Sequence, residues 1–211
     1  MDWMKLKSGT DVRGTALGDA PLLTAHVAQC LGMAFARYVA QKAGKPTTQI
    51  TIALGRDSRL SGPALLRATA EGISRAGASV LDFGMCTTPA MYMSILTPGF
   101  QPDAAIMLTA SHHPYDKNGL KFFMPKGGLE GSEVTELLKL VGDFERIADH
   151  AVNILESAEE LAEKKLAFSD AARGELSVLR DAVTEVLDTA REAFERGDVR
   201  LAMQVEPLEQ V

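Results

Sequence analysis

Two hydrophobic periodicities divide the chain. Before about residue 131, short β-branched and apolar runs alternate with longer stretches of helical spacing, the alternation that βαβ units require. The pattern predicts strands at Ile50–Leu54, Ser79–Phe83, Ala104–Leu108 and Gly119–Met124, with Lys5–Ser8 as an opening strand. Helices are expected over Thr24–Ala43, through Val27, Leu31, Phe35 and Val39, and over Ser61–Ala76, where Pro63 suits an early helical position. The run Ala104–Leu108 is apolar throughout, so it should be covered on both faces and sit centrally in a sheet. From Gly131 the period becomes 3.6 and stays there. Val134, Leu137, Leu138, Val141, Phe144, Ile147, Ala148, Ala151, Ile154, Leu155, Ala158 and Leu161 mark one stripe of a helix from about Ser132 to Lys165. A second helix follows Ser169-Asp170, with Leu176, Leu179, Val183, Val186, Leu187, Ala190 and Phe194 facing inward. Gly197 ends it, and a third begins near Asp198, with Val199, Ala202, Val205 and Leu208 as its apolar positions, and is still running at Val211. The fold expected is an α/β sandwich over residues 1–139, followed by an all-α antiparallel three-helix unit over 140–211 that is cut short.

Charge sharpens the division. Residues 1–139 hold 14 Lys+Arg against 11 Asp+Glu, whereas residues 140–211 hold 8 against 17. Fifteen of the 18 glycines and eight of the nine prolines precede residue 140. A basic nucleic-acid face is excluded on the acidic half, and the first half has no dense Lys/Arg cluster. No run approaches the roughly 18 apolar residues of a membrane helix, and the opening Met1–Lys5 lacks the apolar region of a secretory signal, so a cytoplasmic protein without a membrane partner is expected. Cys30 and Cys86 lack metal-ligand spacing and read as buried, reduced thiols.

The sharpest local feature is Thr109-Ala110-Ser111-His112-His113-Pro114-Tyr115-Asp116-Lys117-Asn118-Gly119-Leu120-Lys121, which leaves the central strand and turns back into the next. Loops at strand ends expose reactive groups on a fixed scaffold. Ser111 offers a hydroxyl there, His112 and Lys121 a proton carrier or a cation, and Asn118-Gly119 a turn that returns Lys121 toward the serine. An ordinary polar turn with Ser111 bonded to its own backbone is the alternative.

With this loop, Ser8-Gly9-Thr10-Asp11-Val12-Arg13-Gly14 and Gly55-Arg56-Asp57-Ser58-Arg59-Leu60-Ser61-Gly62-Pro63 stand in one order, with Thr87-Thr88-Pro89-Ala90 and Lys126-Gly127-Gly128 between and after them. Together they resemble the first of the four domains of the α-D-phosphohexomutases, the phosphomannomutase/phosphoglucomutase family, over residues 1–139. The resemblance implies that Ser111 carries a phosphoryl group exchanged with a hexose phosphate through a bisphosphate. It implies that Lys121 assists proton transfer, Arg13 lies near the phosphoryl group and His112 packs beside the serine. An Arg13 that merely pairs with Asp11 or Asp57 is the structural alternative, and Arg56, Asp57 and Arg59 are expected to brace loops. The family's Mg²⁺ would touch Ser111 through its phosphate, but the Asp-Gly-Asp-x-Asp-Arg string that supplies the other ligands is absent here. Complete turnover by this chain alone is therefore not expected.

The stretch Gly142-Asp143-Phe144-Glu145-Arg146-Ile147-Ala148-Asp149-His150-Ala151-Val152-Asn153-Ile154 resembles instead the helical PhoU-like domains, including those of sodium/phosphate cotransporters. That resemblance implies a metal-binding pair in Glu145 and Asp149, which spacing i, i+4 puts on one helical face; a solvated acidic face is the alternative. Two resemblances meeting in one unbroken helix point to a chimera or fused reading frame, whose second half is a noncatalytic regulatory or interaction module or a structural completion of the first. Self-association is left open, because a domain taken from its neighbours keeps apolar patches.

Overall fold

A computed structural model describes residues 2–209. The chain divides into two compact units, Met1–His150 and Ala151–Val211.

The first unit is built on a mixed sheet. Its strands are β1 (Lys7–Ser8), β2 (Asp11–Thr15), β3 (Thr51–Arg56), β4 (Ser79–Met85), β5 (Ala104–Leu108), β6 (Lys117–Met124) and β7 (Gly127–Gly128). The order is β1-β2-β6-β5-β3-β4, with β7 paired to β6; β3 runs parallel to β4 and β5, and the other pairs are antiparallel. All five residues of β5 are buried, so the apolar run lies between β3 and β6 with both faces covered, as its composition requires.

Strand alternation sorts the core into two layers. Ile52, Leu54, Ala104, Ile106, Leu108, Leu120 and Phe122 face one side, where they meet α1 (Ala25–Ala43), α2 (Gly62–Arg75) and the first turns of α4 (Gly131–Glu163). Ala53, Ala105, Met107 and Phe123 face the other, against Met91 and Ile95 of α3 (Thr88–Leu96). Helix α1 is capped by Thr24, whose Oγ1 accepts from Val27 N, and is closed by Gly44 at φ +63°. A Cβ on Gly72 would lie 1.9 Å from Gln29 O, so α1 and α2 touch at their backbones. Val134, Leu137, Leu138 and Val141 of α4 are buried in this core, and Tyr38 Oη donates to Glu133 Oε1 at its start.

Several expectations change here. Trp3–Leu6 is a 3-10 turn, leaving only Lys7–Ser8 of the expected opening strand. β2 and α3 carry no strong periodicity and were not foreseen: β2 is a polar stretch set by its pairing to β6, and α3 is apolar on nearly every side. Asn118-Gly119 is no turn but part of β6, because Pro114–Asp116 already reverses the chain, with Lys117 N bonded to Pro114 O. Cys30 and Cys86 are free but only half-buried.

The second unit contains residues 151–163 of α4, then α5 (Asp170–Arg196) and α6 (Val199–Glu209). Ser169 Oγ accepts from Ala172 N at the start of α5, Gly197 follows its end at φ +62°, and Asp198 caps α6 through Arg200 N and Leu201 N. The helices are those expected, but their stripe does not close into a three-helix core. Ile154, Leu155, Leu176, Leu179, Val183 and Leu187 are exposed, and Ala193 is the one buried side chain among those described beyond residue 150. The side chains of Phe194 and Leu208 lie outside the described residues. No described helix is long and apolar enough to cross a membrane.

Candidate active site

β5 ends at Leu108 and the serine loop begins. Its root is held by Thr109, whose amide donates to Gly119 O of β6 and whose Oγ1 donates to Asp57 Oδ2 at 2.8 Å while accepting from Ser111 N at 3.0 Å. Ser111 is exposed and has φ +54°, a left-handed conformation that few non-glycine residues adopt. Its Oγ lies 3.4 Å from His112 Nδ1, and the rings of His112 and His113 stack at 5.0 Å. The serine hydroxyl thus faces the neighbouring imidazole at the turn.

Arg59 organises the loop from outside. Its Nη1 donates to Pro114 O at 2.6 Å and Lys117 O at 2.9 Å, its Nη2 to Ser111 O at 2.8 Å and His113 O at 2.9 Å, and its Nε to Asp57 Oδ2 at 3.3 Å. A planar guanidinium is the one side chain with enough fixed donors to gather four carbonyls of one loop. The bracing expected of Asp57 and Arg59 is thus explicit, and Arg56 Nη1 donates to Asp57 O. Asn118 stiffens the return, its buried amide donating to Ser61 Oγ and accepting from Gly119 N.

Beneath the loop, β2 and β6 place two more cations. Asp11 is buried and uses both carboxylate oxygens: Oδ2 accepts from Arg13 Nη2 at 2.7 Å and Oδ1 from Lys121 Nζ at 2.9 Å. Arg13 stands opposite Gly119, where a Cβ would meet Val12 O at 2.5 Å and Arg13 Cγ at 2.7 Å, so the glycine is what lets the strands and the arginine fit. Arg13 Nε is buried without a partner, an unsatisfied donor in the described structure. The pKa of His113 is lowered from its ordinary 6.5 by partial desolvation, then by the charges of Arg13, His112, Lys117 and Arg59. A cleft of about 380 Å³ opens on the loop, lined by Asp57, Ser58, Arg59, Leu60, Ser111, His113 and Tyr115.

All four residues singled out in the sequence, Arg13, Ser111, His112 and Lys121, thus belong to this loop or to the strands under it. Arg13 pairs with Asp11, as its structural alternative expects; that Asp11 also holds Lys121, 110 positions away, was not foreseen. The residues present do not fit a magnesium ion: Ser111 contributes one hydroxyl among cations, and no cluster of three or more His, Cys, Asp or Glu able to hold a metal exists among the described residues. Glu145 accepts from Trp3 Nε1 at 2.6 Å, and Asp149, one turn on, is exposed.

Residues 4–142 match the family described as phosphoglucomutase/phosphomannomutase, alpha/beta/alpha domain I. A phosphoglucomutase of Neisseria gonorrhoeae is 37% identical over 131 residues, covering 62% of this chain and 26% of that protein. A phosphoglucosamine mutase of Mycolicibacterium paratuberculosis is 35% identical over 189 residues, covering 88% and 40%. A crystal structure of a phosphoglucomutase/phosphomannomutase family protein from Burkholderia thailandensis superposes with a TM-score of 0.58 at 31% identity, over 67% of this chain and 31% of that one. The chain spans between a quarter and two-fifths of the length of these curated relatives. The sheet, the serine loop and these matches agree on one conclusion: the chain belongs to the phosphoglucomutase/phosphomannomutase family, through that family's domain I.

Proposed function

We propose that residues 1–139 are the serine-bearing domain of a phosphohexomutase, in which Ser111 exchanges a phosphoryl group with a hexose phosphate or bisphosphate. The observation that carries this reading is Ser111 itself, an exposed hydroxyl on a left-handed turn at the end of a central strand, gathered by Arg59. In the proposed step the Ser111 oxygen bonds to phosphorus of a hexose bisphosphate as the bond from phosphorus to the sugar oxygen breaks. The serine proton leaves through a neighbouring base, for which His112 Nδ1 is within reach, and ends on the sugar oxygen. Arg13 and Lys121, fixed by Asp11, supply positive charge for the phosphoryl oxygens, and the unsatisfied Arg13 Nε offers a further donor.

The reading is of an incomplete site. Mg²⁺ would reach Ser111 only through a phosphate, and its remaining ligands are not in this chain, so interconversion of hexose 1- and 6-phosphates by the chain alone is not expected. Incubation with a hexose bisphosphate labelled in its phosphoryl groups tests the proposal. Label should enter the chain and be lost in Ser111→Ala; label retained in that variant would refute it.

Residues 140–211 have a second, noncatalytic role in this reading, PhoU-like by the Gly142–Ile154 string and joined to the first half as a chimera. The 189-residue match favours the opposite reading, since it is too long to end at residue 142 and extends mutase similarity into the helices. Calorimetric titration with Mg²⁺ and Mn²⁺ separates them. The PhoU-like reading predicts binding that Glu145→Gln or Asp149→Asn abolishes, and no binding would remove it.

A further inference from the structure

Three sulfur atoms converge on the face of the sheet that α3 covers. Cys86 directly follows β4, Met91 lies on α3 and Met107 on β5. Cys86 Sγ approaches Met107 Sδ at 4.0 Å. Gly55 of β3 is paired in register with Met107, and a Cβ built on it would lie 2.2 Å from Cys86 Sγ and 2.4 Å from Met91 Sδ. Those two sulfurs are therefore no further apart than the two distances together, and the space they share exists because residue 55 has no side chain. Met91 is 0% exposed and Met107 2%, so two of the three donors are shielded from water, in one layer with Ala53, Ala105 and Phe123. Cys86 is only half-buried and packs at the rim of that layer, which makes it the way in from solvent. Its position is fixed on both sides. Cys86 N donates to Arg56 O at 3.0 Å, and Thr87 caps α3 by accepting from Ala90 N, which sets where Met91 falls one turn on.

We propose that Cys86, Met91 and Met107 form a binding site for a soft monovalent cation, Cu(I). Thiolate and thioether sulfurs select soft ions over hard ones, and a set of one cysteine and two methionines has no carboxylate or imidazole to offer anything else. An ion held trigonally by bonds of about 2.3 Å needs its sulfurs about 4.0 Å apart, which is the spacing Cys86 and Met107 already have. Charge decides the valence. One thiolate and two neutral thioethers balance a single positive charge, whereas a divalent ion would leave net charge in an apolar layer. Zinc also favours a tetrahedron of four ligands, and no cluster of three or more His, Cys, Asp or Glu exists among the described residues to complete one. On binding, the metal–sulfur bond forms as the Cys86 S–H bond breaks and its proton passes to water. Both thioethers donate lone pairs without changing charge, and copper stays Cu(I) throughout. The unbranched methionine side chains can adjust to bonding distance without moving the backbone.

The test uses the full chain with Cys30→Ser, because Cys30 is a second thiol with His26 Nε2 3.6 Å away. Anaerobic competition for Cu(I) against bicinchoninate should show one ion withdrawn from the chelator per chain. X-ray absorption of the loaded protein should show three sulfur neighbours at about 2.3 Å. Met91→Leu and Met107→Leu conserve volume and fold. Each should weaken binding by at least about tenfold, since even an outer-shell partner of a metal ligand contributes about 10–100-fold. Cys86→Ser should abolish withdrawal. No withdrawal by the Cys30→Ser chain, fewer than three sulfur neighbours, or binding indifferent to both methionine substitutions would each overturn the site.

Discussion

Arg59 is where the serine loop is most exposed to a single substitution. Five donors on one guanidinium serve four loop carbonyls and Asp57, and hydrogen bonds to a charged donor contribute roughly 1.5–3 kcal/mol apiece without adding fully. Arg59→Lys keeps the charge but loses the fork. It should cost about 3 kcal/mol by urea denaturation and slow labelling of Ser111 at least about tenfold, because the left-handed serine then lacks what holds it. His113 provides a pH signature of the same field. Its pKa is lower in the folded chain than in the unfolded one, so the unfolded chain takes up a proton first as pH falls through the ordinary 6.5. Stability attached to this ring is complete above 6.5 and is lost between 6.5 and the folded value. Nuclear magnetic resonance titration of the ring should give a midpoint below the ordinary one, moving upward in Arg13→Ala. At this scale the strings carrying the proposed site residues were legible, and the structure brings Ser111, His112, Lys121 and Arg13 to one loop and the strands under it. The long-range partners were not: nothing in a linear pattern says that Asp11 reaches Lys121 or that Arg59 closes on Pro114 and Lys117.

Among the elements, legibility followed burial. β5 was read to the residue because a run buried on both faces has no polar interruption, and α1 and α2 were read within a residue or so because one face of each is apolar. β2 escaped because its Asp, Arg and Gly are chosen by the site and by the pairing with β6, and α3 escaped because an apolar helix of nine residues has no phase to detect. Asn118-Gly119 misled for a related reason: the pair is a strong turn signal, yet here the glycine serves close strand contact. Gly119→Ala should therefore cost about 1–3 kcal/mol or more through overpacking against Val12 and Arg13, read from a chemical denaturation midpoint. α4 gives the complementary test, since it runs unbroken from Gly131 to Glu163 although its stripe is buried only as far as Val141. Hydrogen exchange should be slow across Leu137–Val141, and Val141→Pro should cost roughly 3 kcal/mol or more by removing a helical bond; fast exchange there in the parent would contradict the helix.

At the scale of the whole molecule, an α/β unit over Met1–His150 is followed by a helical one over Ala151–Val211 whose apolar stripe is exposed; the shift in charge and glycine content falls earlier, near residue 139, and did not show that the helices would fail to close on themselves. A pattern states which positions are apolar, not which chain will cover them. The proposed nucleophile, Ser111, lies in the first unit, and on that proposal a coupled assay for hexose phosphate interconversion by this chain should stay far below the usual enzyme range of about 1–1000 per second. The central claim is that Ser111 is the phosphoryl acceptor of this domain. Peptide mapping by mass spectrometry after exposure to a hexose bisphosphate tests it directly: the account predicts one phosphate, confined to the peptide bearing Ser111 and localised on that residue. Phosphate on another residue, or none on Ser111 at saturating bisphosphate, would contradict it.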